Sequence, residues 1–111
     1  MFLQAANSVL PAISMYSCSK AAVSMLTKNM AVELGPTIRT NCICPTYMIT
    51  PLTTEYIKNN PERFEGMLNR APIKRFLTPS EAADSILFLS GPSSAMITGA
   101  SLDVDGGYCV A

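Results

Sequence analysis

Tyr16 and Lys20 stand four residues apart in a stretch, residues 14–34, that contains neither proline nor glycine. On a helix that spacing brings both side chains to one face. An ammonium beside a phenol favours the phenolate and lowers the tyrosine pKa. That is the property a proton donor working near neutrality needs. The same spacing also describes a partly buried tyrosine beside a solvated lysine, so the pair alone leaves both readings open. Other chemistries are closed. The chain has no histidine, so no Ser-His-Asp or Cys-His site can be built from it and the commonest zinc ligand is missing. No metal site is expected. The cysteines are Cys18, Cys42, Cys44 and Cys109, with no C-x-x-C among them. They read as reduced, mostly buried thiols of a cytoplasmic protein rather than a disulfide framework.

The elements that must position the pair follow from periodicity and punctuation. Ser14 to Leu34 reads as one helix with Ser14 as N-cap. Met15, Cys18, Ala22, Met25, Leu26, Met30 and Leu34 recur at helical spacing, and Gly35-Pro36 ends the run. Small residues crowd its first half and allow another backbone or a ligand to come close. Ile38 to Cys44 alternates apolar and polar residues up to Pro45 and predicts a strand, with Cys42 and Cys44 on one face. Residues 46–72 are irregular and polar, with short helices expected near Thr53–Asn59 and Pro61–Asn69. A long segment of this kind after a strand reads as a lid. Thr78-Pro79-Ser80-Glu81 is a capping box. It opens a helix through Leu89 whose expected core face is Ala82, Ile86 and Leu89. Ala100 to Val104 reads as a second strand, closed by Asp105-Gly106-Gly107, and residues 1–12 as a loop or strand end. Helices alternating with short strands give an α/β layer. Two strands are too few for a parallel sheet, which is normally covered on both faces, so the expected fold is part of a larger sheet.

Composition agrees. The 111 residues are 49% hydrophobic and 14% charged, and eight Lys and Arg balance eight Asp and Glu. Mean hydropathy is +0.27 and the pI about 6.1. A neutral chain is a poor partner for nucleic acid, and a chain this apolar is not disordered. No apolar run approaches the roughly 18 residues needed to cross a membrane, and the first charged residue is Lys20, so no basic signal-peptide start is read. A chain this small and apolar cannot hide its own surface, and a partner surface is expected.

Tyr16-Ser17-Cys18-Ser19-Lys20-Ala21-Ala22, Met25-Leu26-Thr27, Leu34-Gly35, Ile38-Arg39-Thr40-Asn41-Cys42-Ile43-Cys44-Pro45, Thr98-Gly99 and Asp103-Val104-Asp105-Gly106-Gly107 together resemble the short-chain dehydrogenase/reductase family. The likeness runs in order from about Gln4 to the C-terminus. Met25-Leu26-Thr27-Lys28, Met67-Leu68-Asn69-Arg70 and Ile86-Leu87-Phe88-Leu89 are most similar to its L-xylulose/dicarbonyl reductase branch. The resemblance implies the C-terminal part of a Rossmann-type, doubly wound parallel sheet, left incomplete. It implies an NAD(P)-dependent oxidoreductase interconverting carbonyl and alcohol, with NADP slightly favoured over NAD. It makes Tyr16 the catalytic acid/base and Lys20 the residue that binds the nicotinamide ribose and lowers the Tyr16 pKa. It assigns Pro45 and Thr46 to the start of the loop over the nicotinamide. Met48 would hold the carboxamide through its backbone, and Thr50 would bond the cofactor through its hydroxyl. Residues 46–72 become the substrate lid. The implied partners are a small carbonyl or sugar-alcohol substrate and further copies of the chain, as a dimer or tetramer.

Two positions and one missing motif depart from the family pattern. The family's catalytic serine, thirteen residues before the tyrosine, falls at Leu3, which cannot hydrogen-bond through its side chain. Thr46 stands where the family usually has glycine. The six glycines, at 35, 66, 91, 99, 106 and 107, form no dinucleotide-binding turn. The expectation is that residues 1–111 are the catalytic and substrate half of a reductase, lacking the dinucleotide-binding half and binding cofactor weakly alone. The competing expectation is a truncated, catalytically impaired form that acts as an oligomerisation or interaction module.

Overall fold

Ser14–Leu34 forms the first helix, α1, in the computed structural model, which describes residues 13–111. The loop or strand end expected at residues 1–12, with Leu3, lies outside the described residues. Ser14 is the first helical residue rather than the cap. The Ile13 carbonyl already accepts the Ser17 N–H (2.9 Å), and no side chain caps the end. At the other end Gly35 turns extended, and the Leu34 carbonyl is satisfied by the Thr37 and Ile38 N–H groups at 3.1 and 3.0 Å.

The remaining elements are β1 (Cys42–Pro45), α2 (Pro51–Asn59), α3 (Pro61–Arg70), α4 (Pro79–Ser90) and β2 (Ser101–Val104), with 3-10 turns at Pro92–Ser94 and Tyr108–Val110. β1 and β2 pair in parallel, Cys42 opposite Ser101 and Pro45 opposite Val104. The strand expected at 38–44 is shorter and shifted, because its first residues bind a loop instead of a ladder. The Arg39 guanidinium donates to the carbonyls of Ile97 and Leu89 at 2.8 and 2.9 Å. Thr40 accepts from the Gly99 N–H at 2.7 Å. Asn41 donates to the Ile97 carbonyl and accepts from the Ala100 N–H, at 2.9 and 3.0 Å. β2 likewise starts one residue after the expected Ala100.

α1 rests on β2 through its small residues. Ser24 Oγ meets Ser101 Oγ at 2.8 Å, and a Cβ on Gly99 would sit 3.4 Å from that of Ala31. α4 packs on β1 and buries Ala82 and Leu89, but Ile86 is 51% exposed. The expected core face is therefore narrower. Two strands do not extend far enough to cover it, and Ile86 instead borders an open groove of about 290 Å³ with Ile43 and Ser90. The thiols need a similar correction. All four are free, yet only Cys44 is fully buried and Cys18 is exposed, since nothing among the described residues covers its side of α1.

Both short helices expected within residues 46–72 form, and each runs slightly longer than expected. Pro51 sits at the first position of α2, two residues before the expected start, and Pro61 opens α3. Phe64, 2% exposed, anchors these helices. Its ring meets Tyr47, Tyr56 and Phe76 edge-on, centroids 5.1, 5.7 and 5.9 Å away. The α4 capping box forms as read: Glu81 N–H donates to Thr78 Oγ1, and Thr78 N–H donates back to Glu81 Oε2 at 2.9 Å. Among the described residues no helix is long and apolar enough to cross a membrane.

Candidate active site

The first two turns of α1 bring the predicted pair together. The Lys20 ammonium lies 5.1 Å from the centre of the Tyr16 ring, where the ring's negative face attracts it. Tyr16 is half-buried and Lys20 only 7% exposed. Lysine is almost never buried this far unless something compensates its charge. Among the described residues Lys20 enters no ion pair, and its ammonium carries three N–H donors.

The other predicted residues follow one another out of the sheet. Pro45, buried, ends β1. The Thr46 N–H donates to the Val104 carbonyl at 3.2 Å and carries the ladder one bond further. The Tyr47 carbonyl then accepts from the Leu77 N–H at 3.2 Å, and Met48 pairs with Leu77 in an isolated bridge. Thr50 caps α2. Its Oγ1 accepts the Thr53 N–H at 3.2 Å, and its own N–H donates to Thr53 Oγ1 at 2.9 Å. Thr53 in turn donates its hydroxyl hydrogen to the Met48 carbonyl at 2.5 Å. That hydrogen is then used, so the 3.0 Å contact between the two hydroxyls takes the hydrogen of Thr50. Thr50 keeps one oxygen lone pair and can accept a bond from an N–H donor.

Tyr47 ties the loop after β1 to α3 through the Phe64 ring. Burial pushes its phenol above the ordinary range. Arg63 pulls it down, and Tyr56, Tyr16 and Tyr108 add to the upward push. Tyr16 is thus one of the charges that Tyr47 senses. A cavity of about 390 Å³ opens beside this loop at the carboxyl ends of both strands, with Thr46, Arg75, Asp103 and Asp105 in its wall, but neither Tyr16 nor Lys20 lines it. That end of a parallel sheet is where ligands bind in α/β folds. Asp105 shapes the turn beyond β2. Burial alone would raise its carboxyl. Bonds from the Cys109 and Gly107 N–H groups, at 2.8 and 2.9 Å, outweigh burial and hold it below the usual range.

Tyr47 and Thr53 were not singled out by sequence reasoning. A usable signal existed for Thr53, because Thr50-Pro51-Leu52-Thr53 repeats the form of Thr78-Pro79-Ser80-Glu81. For the nicotinamide end of a dinucleotide the residues fit: a buried ammonium, a hydroxyl acceptor and a fixed loop. For the pyrophosphate they do not, since no glycine-rich turn occurs in the chain.

The chain is similar to known proteins along nearly its whole length. Residues 1–109 match the family model described as enoyl-(acyl carrier protein) reductase. L-xylulose reductase of Bos taurus is 43% identical over 96 residues, 86% of this chain and 39% of the relative. Galactitol 2-dehydrogenase (L-tagatose-forming) of Cereibacter sphaeroides is 43% identical over 98 residues, 87% of this chain and 38% of the relative. The crystal structure of a 3-oxoacyl-[acyl-carrier protein] reductase with bound NAD from Brucella melitensis aligns with a TM-score of 0.83 at 32% identity. That alignment covers 99% of this chain and 39% of the other. The chain spans about two fifths of the length of the relatives it matches.

Proposed function

The chain belongs to the short-chain dehydrogenase/reductase family, and on that premise we propose that it forms the proton-transferring, substrate-facing part of an NAD(P)-dependent reductase. One observation carries the reading. Lys20 is buried against the Tyr16 ring, an arrangement that is costly for packing alone and useful for moving a proton. Bound nicotinamide supplies or accepts the hydride at the carbonyl carbon. Tyr16 gives the hydroxyl proton to the substrate oxygen in reduction and removes it in oxidation. Lys20 donates to the ribose hydroxyls and stabilises the negative charge left on Tyr16. Pro45 and Thr46 border the nicotinamide, Met48 holds the carboxamide through its backbone, and Thr50 accepts a bond through its free lone pair.

Residues 46–72, with α2 and α3, act as the substrate lid. A small carbonyl or sugar-alcohol substrate is supported by the names of the similar L-xylulose reductase and galactitol dehydrogenase. The likeness to L-xylulose reductase favours NADP over NAD. The four free thiols suit the cytoplasm. A second reading, association through apolar surface, draws on α1, where Met15 and Val32 are 84% and 83% exposed. In the working enzyme these faces serve a dimer or tetramer.

The test is NADPH-dependent reduction of diacetyl or L-xylulose by this chain and by the longest polypeptide that contains it. Activity is expected from the longer form. Tyr16→Phe should lower its turnover by about 10²- to 10⁴-fold with circular dichroism unchanged. Unaltered turnover in Tyr16→Phe rules out the assigned acid/base.

A further inference from the structure

We propose that Thr53 is a positioning residue for the cofactor. Its hydroxyl locks the backbone of residues 48–50 in the shape that holds the nicotinamide end. The proposal rests on the reading of Met48 and Thr50 given above. Thr53 is half-buried and makes more bonds than a helix cap requires. A capping box needs two bonds: the Thr53 N–H to Thr50 Oγ1 at 3.2 Å, and the Thr50 N–H to Thr53 Oγ1 at 2.9 Å. The bond from the Thr53 hydroxyl to the Met48 carbonyl, at 2.5 Å, contributes nothing to capping. It reaches back two residues past the cap and ties the loop to the helix.

The comparison with α4 sharpens the point. There the same position holds Glu81, whose carboxylate accepts from the Thr78 N–H and hydroxyl, both at 2.9 Å, and has no hydrogen to give. A threonine can cap and donate at once. The donated hydrogen also fixes the Thr50 hydroxyl, whose own hydrogen is drawn to Thr53 across the 3.0 Å contact. One side chain thereby sets both the carbonyl direction of Met48 and the acceptor state of Thr50.

Three substitutions separate positioning from capping in the full polypeptide. Thr53→Ser keeps both roles, Thr53→Glu keeps the cap and loses the donor, and Thr53→Val loses both. Fluorescence titration with NADPH is expected to show binding within twofold of wild type for Ser. For Glu and for Val it should be weakened about tenfold, the loss of one hydrogen bond of typical net strength. At saturating NADPH, kcat for Glu should stay within twofold while the cofactor KM rises. Amide hydrogen exchange without cofactor gives an independent readout. Residues 48–50 should exchange faster in both Glu and Val, and the α2 amides faster only in Val. Binding by Thr53→Glu equal to wild type would overturn the inference alone and reduce Thr53 to a cap. Failure of the wild type to bind any nicotinamide dinucleotide would overturn the functional reading and this inference with it.

Discussion

A thiol's surroundings decide whether it reacts, and the cysteines of this chain span the range. Cys44 has no accessible surface. Burial first, then Cys42 and Asp103, push its thiol up to about 12. At about pH 8 that leaves roughly one thiolate in 10⁴. Cys109 is pushed up to about 12 as well, by burial and then by Asp105, while Cys18 stands exposed on α1. Alkylation with iodoacetamide, mapped by mass spectrometry, should label Cys18 while Cys44 stays unmodified until denaturant is added. Equal labelling would mean that the β1 face is open. The sequence reads as four reduced, mostly buried thiols and misses this ranking, because burial belongs to the fold. The same limit separates the site residues. Tyr16 and Lys20 are legible, since a helix converts their spacing directly into contact. Thr53 is not, because what distinguishes it is a hydrogen given to a carbonyl five residues back, which only the loop geometry shows.

Two helices, α2 and α4, begin with the same Thr-Pro-x-Thr/Glu form, but only the α4 cap carries a titratable group. At α4, bonds from Arg75 and then from the Thr78 backbone and hydroxyl lower the Glu81 carboxyl from 4.5 to about 2. A depressed carboxylate stabilises the fold above its unfolded pKa and loses that contribution as pH falls through the folded one. The α4 cap should hold down to about pH 4.5 and weaken progressively toward about pH 2. Thermal melts across that window should show the loss in wild type and a flatter profile in Glu81→Gln. At α2 the box consists of two threonines and carries no charge, so it adds no such dependence. At neutral pH, Thr78→Ala should cost about 1 kcal/mol, read by urea denaturation; no loss would mean that the cap is idle. The start of α4 was legible to the residue because cap, proline and partner are local. β1 was not, because Arg39, Thr40 and Asn41 alternate like a strand but bind the loop at 97–100. Local pattern cannot choose between two distant partners.

The molecule as a whole is more open than its length calls for. Its accessible surface is 7076 Å², where a compact monomer of 11.9 kDa would show about 5,900 Å². Its radius of gyration is 15.0 Å, against about 13 Å. Large apolar side chains stand exposed on α1 and α4. Met25 and Leu26 on α1 are 57% and 55% exposed, and Leu87 and Phe88 on α4 are 68% and 46% exposed. Large apolar side chains exposed together in this number mark surfaces that another surface covers. The high apolar content read from composition thus reflects helix faces that the two strands among the described residues are too few to bury. The 111-residue chain alone should therefore bind the dye ANS strongly while keeping its far-ultraviolet helical signal. Met25→Lys and Leu87→Lys should each reduce that binding, with little change in urea midpoint because neither side chain is buried here. Phe64→Ala should act oppositely, costing about 3–5 kcal/mol through loss of the aromatic cluster and raising dye binding. If the two lysine variants lower the urea midpoint as much as Phe64→Ala, those faces are already packed within the chain, and its surplus apolar content needs no further cover.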